Sequence, residues 1–116
     1  MAVKTLGDIL LGNAAVTAIV GDRVYPLVRP QNIVTPAVTL QRIANVPQNH
    51  LRGFGNLDAN RVQVDCFADT YLQARALSAA CRTAINAAGH TCELELDEYD
   101  EQVLVYRVIL DFNVWL

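Results

Sequence analysis

RVQVDCFADTYLQARALSAACRTAINAAG, residues 61–89, holds a strand and a helix back to back. Over residues 61–67, Val62, Val64 and Cys66 alternate with Arg61, Gln63 and Asp65. That period of two marks a half-buried strand. Thr70 followed by Gln73 has capping-box spacing: the hydroxyl accepts a first-turn N–H while Gln73 reaches back. Asp69 adds negative charge near the positive end of the helix dipole. The helix is expected to run to about Ala88 and stop at Gly89. Leu77, Cys81, Ala84, Ile85 and Ala88 form its inward stripe, and Arg75, Arg82 and Asn86 face away. Its many alanines keep it thin enough to lie close on a sheet.

Upstream, residues 20–43 read VGDRVYPLVRPQNIVTPAVTLQRI. Gly21 follows the apolar run 14–20 and reads as a helix stop, because glycine accepts positive φ. A short strand begins at residues 23–25. Pro26, Pro30 and Pro36 each fix φ and remove a donor, so regular pairing is not expected between them. Pairing resumes over residues 37–44, where Val38 and Leu40 alternate with Thr39 and Gln41. Before this stretch, residues 3–11 and 14–20 read as one broken helix or two short ones, with the break at Gly12-Asn13. Leu6, Ile9, Leu10 and Ile19 share its inner face. Residues 45–60 have no period and hold Pro47, Gly53 and Gly55, which predicts a loop or hairpin tip.

Downstream, residues 92–98 and 102–116 read as a strand hairpin. Leu104, Tyr106, Val108, Leu110, Phe112, Val114 and Leu116 point one way on the last strand and mark the core face under the helix. The other face carries Val103, Val105, Arg107, Ile109, Asp111, Asn113 and Trp115, a mixture suited to neither pure solvent nor pure core. A long strand with apolar groups on its second face often packs against something outside its own domain. The fold class is therefore α+β: an antiparallel sheet of four to five strands with helices packed on one face. No internal repeat interrupts the chain, and its 116 residues fit a single domain.

Composition narrows the function classes. The chain is 53% hydrophobic and only 18% charged, which suggests surface destined for burial against partners. Its formal net charge of −3 and its scattered arginines argue against a dedicated nucleic-acid binder. Cys66, Cys81 and Cys92 are odd in number and lack Cys-x-x-Cys spacing, so neither a disulfide framework nor a zinc site is expected. The N-terminal apolar run is too short and interrupted for a signal peptide, and no run approaches a membrane span.

Chemistry is scarce. His50 and His90 lie in polar turns with no orienting third group, so neither reads as a catalytic base. No phosphate loop and no His pair at i, i+4 occurs. Glu93, Glu95, Asp97, Glu98, Asp100 and Glu101 form an acidic segment, with Glu93, Glu95 and Asp97 expected on one face of a strand and Leu94 and Leu96 on the other. Carboxylates are ligands for hard cations, but alternate positions on one strand lack the converging geometry of such sites. A solvated edge that discourages sheet-to-sheet pairing is the simpler reading. No catalytic residue, metal site or cofactor is expected.

The order AVTAIVGDRVYPLVRPQ…TPAVTLQRI…RVQVDCFADTYLQARALSAACRTAI resembles the phage tail-completion family, the tail terminators and head–tail joining proteins of siphophages. The resemblance runs from about Leu10 to Ile85 and is most specific over residues 20–26, 35–43 and 61–76. It implies a virion structural protein and not an enzyme. By that resemblance the chain acts as a homo-oligomeric ring, expected as a hexamer, at the head-proximal end of the tail, after assembly in the host cytoplasm. Its partners would be further copies of itself, the tail tube protein and the head connector protein, with DNA only as passing cargo and no membrane. Tyr25, Arg29, Val105, Ile109 and Trp115 are the candidate contacts, being large or apolar and outside the expected core face. Glu93, Glu95 and Asp97 are candidate lumen residues, since carboxylates would repel DNA passing through. The alternative from another class is a small α+β enzyme or ligand-binding domain, with a site built from Arg42, Asp65 and Arg107.

Overall fold

A computed structural model describes residues 2–26, 35–46, 59–101 and 104–115. The described elements are helices α1 (Ala2–Leu11), α2 (Ala14–Val20) and α3 (Tyr71–Ala87), and strands β1 (Val24–Pro26), β2 (Ala37–Val46), β3 (Ala59–Ala68), β4 (Thr91–Asp100) and β5 (Val105–Trp115). The strands form one sheet in the order β1-β2-β3-β5-β4. All neighbours are antiparallel except β1 and β2, which run parallel. The α+β class expected from the sequence is observed, with this one parallel pair added.

Asn13 makes the break between α1 and α2. Its side-chain oxygen accepts the N–H groups of Ala15 at 3.0 Å and Val16 at 3.2 Å, so it caps α2. The two helices meet at 88°. Gly21 stops α2 with φ 62° and donates its N–H to the Thr17 carbonyl at 2.8 Å. The chain then enters β1, where Arg23 Nε donates to the Pro36 carbonyl at 2.8 Å and Val38 N donates to the Arg23 carbonyl at 2.9 Å. These two bonds tie both ends of the proline-bounded segment together; Pro30 and the rest of residues 27–34 lie outside the described residues.

All three helices cover one face of the sheet. Val38, Leu40, Val62, Val64, Cys66, Ala68, Val108, Leu110, Phe112 and Val114 point into that layer and are buried. Leu6 and Leu10 of α1, Val16 and Val20 of α2, and Leu77, Cys81 and Ile85 of α3 meet them. The Thr70 hydroxyl accepts the Gln73 N–H at 3.2 Å, as the capping spacing predicts.

Four expectations need correction. Ala88 is exposed, because α3 ends one residue earlier and Ala88 belongs to the turn that Gly89 closes at φ 95°. Leu104 is 67% exposed and sits at φ 56° in the β4–β5 turn, before β5 begins. β2 runs on to Val46 and β3 begins at Ala59, so the pairing reaches into both ends of the expected loop. Residues 47–58, with His50 and the glycines of the expected tip, lie outside the described residues, as do Val103 and Leu116. The largest departure is a bulge in β4. Cys92 pairs with Phe112 and Leu94 with Asp111, so one extra residue, Glu93, interrupts the alternation.

Candidate assembly surface

The second face of the sheet carries no helix among the described residues. Thr39 of β2, Gln63, Asp65 and Phe67 of β3, and Val105, Arg107, Ile109 and Asp111 of β5 lie on it by strand alternation. The β4 bulge turns Leu94, Leu96 and Glu98 onto the same face, opposite Asp111, Ile109 and Arg107. Leu94 and Leu96 stand 48% and 47% exposed beside half-buried Ile109. Large apolar groups are thus left in water at the edge of a face whose centre is polar and buried.

That polar centre is held by ion pairs. Arg107 lies between Asp65 and Glu98, with its Nη1 3.9 Å from Asp65 Oδ2 and its Nη2 donating to Glu98. Gln63 donates its amide to both oxygens of Asp65, at 2.8 and 3.1 Å. Burial pushes the Asp65 carboxyl above the usual carboxylate range, against the downward pull of the Gln63 bond and Arg107. One strand position further along, Arg61 donates to buried Asp111. Arg107 Nε and Asp111 Oδ1 are buried without a hydrogen-bond partner among the described residues.

The acidic strand divides differently from the expectation. Glu93, in the bulge, accepts bonds from Thr91 Oγ1 at 3.1 Å and Asn113 Nδ2 at 3.0 Å. Asn113 lies on the second face. Glu95 and Asp97 turn to the helix side instead. Arg75 of α3 reaches both, at 3.0 and 3.2 Å, and Arg82 reaches Glu95 at 3.6 Å. The three acids therefore do not share one face: the bulge separates Glu93 from the other two. Arg75 and Arg82 do point away from the core, but they fold over the sheet edge to meet these carboxylates.

Among the expected contact residues, Tyr25 is half-buried on the edge strand β1 and Ile109 is half-buried beside Leu96. Val105 is only 5% exposed. Trp115 ends β5 opposite Ala59, and its side chain lies outside the described residues, as does all of Arg29. Asp65 and Arg107 come together, but Arg42 pairs with Val62 on β2, at the far side of β3, and does not join them. The sequence alone does not mark Leu94 and Leu96 as contacts, although they alternate with the acidic residues. Their neighbours hid them, since an acidic strand reads as solvated.

His90 is buried, and burial lowers its pKa below the ordinary histidine value. Cys66 and Cys81 are buried in the helix-side core, where their mutual hydrogen bond and burial push the Cys66 thiol well up. Such thiols are unreactive. Among the described residues no group of His, Cys, Asp and Glu is arranged to hold a metal ion, and no single helix is long and apolar enough to cross a membrane.

The family model for "Tail completion protein gp17" matches residues 4–116. The chain belongs to the tail completion protein gp17 family. It is a structural component of the virion tail. No curated protein matches the chain. A chain from the structure "Virion of native gene transfer agent (GTA) particle" superposes with a TM-score of 0.76 at 22% identity, covering 95% of this tail completion protein and 90% of that chain. At this identity the likeness is one of fold, and it extends over the helix-backed sheet as a whole.

Proposed function

We propose that this tail completion protein closes into a homo-oligomeric ring, a hexamer, that caps the tail tube and joins it to the head connector. The mechanism is geometric. One ring face matches the last ring of the tube and ends its growth; the other receives the connector. Cyclic closure requires a head-to-tail contact between two different surfaces of the subunit. The observation that carries the reading is the second sheet face, where Leu94 and Leu96 remain half exposed beside Ile109. Burying such groups between copies favours association at about 25 cal/mol per Å² of apolar area. Tyr25, Arg29 and Trp115 are the further contact residues in this proposal, and Val105, at 5% exposure, is too buried to be one.

The acidic β4 edge, with Glu93, Glu95 and Asp97, turns toward the lumen in this arrangement. The partial pairing of Glu95 and Asp97 with arginines leaves Glu93 as the one of the three with no ionic partner among the described residues. DNA in the channel is cargo and makes no specific bond.

Light scattering coupled to size exclusion, followed by negative-stain imaging of the peak with and without tail tubes, tests the ring. A closed ring with a central hole, alone or on tube ends, is the expected result. Leu96→Asp combined with Ile109→Asp should keep a folded monomer while lowering ring yield at least tenfold. Tail tubes that bind no ring at their ends would overturn the proposal.

A further inference from the structure

Cyclic closure needs two different surfaces on each subunit, and the half-exposed Leu94 and Leu96 supply only one of them. They lie on β4, at one edge of the sheet. The complementary surface of a head-to-tail contact belongs at the other edge, where β1 and β2 end the strand order. There α1 packs against β1 and β2 and leaves an open groove of about 340 Å³. Val3, Gly7 and Leu11 of α1, Val24 and Pro26 of β1, and Leu40 of β2 give it an apolar wall. Lys4 and Asp8 complete the lining; they bond each other at 3.0 Å with side chains mostly in water, so neither presents an unpaired charge.

Gly7 keeps this groove open. It stands mid-helix, where glycine is a poor helix former, and no positive φ calls for it. A Cβ at this position would meet Leu40 Cδ1 at 3.6 Å, an ordinary contact, so the fold itself does not demand a glycine. A large side chain there would occupy the groove instead.

Charge is divided along the same axis. Residues 1–46, which form the groove edge, hold four cations and two acids, whereas residues 91–116 hold one cation and seven acids. Arg75 and Arg82 of α3 join that edge through Glu95 and Asp97, which still leaves three cations against seven acids. On β2, Arg42 shares a strand face with Leu40, is exposed and takes part in no ion pair among the described residues. Opposite signs on opposite edges attract copies of one chain head to tail and disfavour two β4 edges meeting.

We propose that this groove receives Leu94 and Leu96 of a neighbouring copy, and that this contact is the repeating joint of the ring. The joint rests on the ring proposed above and supplies the second surface that head-to-tail closure requires. Two residues apart on one strand face, the leucines stand about 7 Å from each other. The lining of α1 from Val3 to Leu11 spans about 12 Å of helix, long enough to take both.

In the test, Leu94 or Leu96 is replaced in turn by the photo-reactive residue p-benzoylphenylalanine. Rings are assembled from isotopically light and heavy subunits, alone or on tail tubes, and irradiated. Mass spectrometry then maps the links between copies, which should fall on α1, β1 or Leu40. Gly7→Phe fills the groove and should lower ring yield at least tenfold. Gly7→Ala adds only a methyl group in ordinary contact with Leu40 and should assemble like the parent protein. Circular dichroism checks that both variants fold. Rings whose links between copies fall elsewhere, or a folded Gly7→Phe protein that assembles at the parental yield, would overturn the groove assignment and leave the ring standing. A parent protein that forms no ring, alone or on tubes, would overturn both.

Discussion

Asp65 is a charge held where charge is costly. It is 7% exposed, and its nearest cation is a fork of Arg107 at 3.9 Å, a guanidinium it shares with Glu98. Its pKa is raised, so the folded state favours the neutral acid. The sign follows directly. A carboxyl raised above its unfolded value near 3.8 stabilises the fold below that value, and the benefit is lost as pH rises through the folded pKa. Asp65→Asn should therefore raise stability at pH 7, and the gain should vanish below about pH 3.8. Urea denaturation at the two pH values measures it. A loss of stability at pH 7 would mean that Asp65 gains more from Arg107 and Gln63 than burial costs it. Asp111 is 5% exposed, and its partner Arg61 reaches it from a side chain that is 44% exposed. Arg61→Ala would leave a buried carboxylate without its cation and should cost about 1–3 kcal/mol, with Asp111→Asn restoring most of it in the double variant. Thermal or urea unfolding of the two single variants and the double variant gives the comparison.

Elements with a local signal were legible in the sequence. The α3 cap by the Thr70 hydroxyl, the α2 stop at Gly21 and the alternation of β3 each rest on residues within one or two turns of each other and occur as read, whereas the return bond from the Gln73 side chain is not seen among the described residues. Features set by distant partners were not legible. Whether β1 runs parallel or antiparallel to β2 depends on how the proline-bounded connection folds back. The β4 bulge leaves no mark in composition, because Glu93 is as acceptable in a regular strand as in a bulge. Yet that bulge decides the character of the whole edge. It sends Leu94 and Leu96 to the second face and Glu95 under Arg75 and Arg82. Glu95 thereby fastens an edge strand to the helix layer. Glu95→Gln keeps the shape and removes the charge, and should cost about 0.5–1 kcal/mol, since both arginines are partly exposed and screened. Denaturation in low and high salt should show that loss shrinking as salt rises. A salt-independent loss would assign the effect to packing instead.

At the scale of the whole molecule, the two faces of the sheet divide the work. The helix-side face uses local, well-patterned residues to make a core that stands by itself. The second face carries buried ion pairs at its centre and half-exposed leucines at its rim, and in the proposed ring neighbouring copies cover it. Family membership in a virion tail component supplies such neighbours. Membership does not say which edge turns inward, and the proposed lumen position of β4 makes a separable claim. Reversing Glu93, Glu95 and Asp97 together would be a poor test, because Glu95 and Asp97 also hold Arg75 and Arg82. Among the described residues Glu93 makes no ion pair, and its reversal loses two hydrogen bonds from neutral donors, those from Thr91 and Asn113. Glu93→Lys should thus leave folding and ring formation intact. If β4 lines the channel, each subunit then offers the passing duplex an attractive charge in place of a repulsive one, repeated around the ring. DNA release from intact particles should slow several-fold, and more at low ionic strength than at high. Particles that assemble normally and release DNA at the parental rate at both salts would place the β4 edge outside the channel.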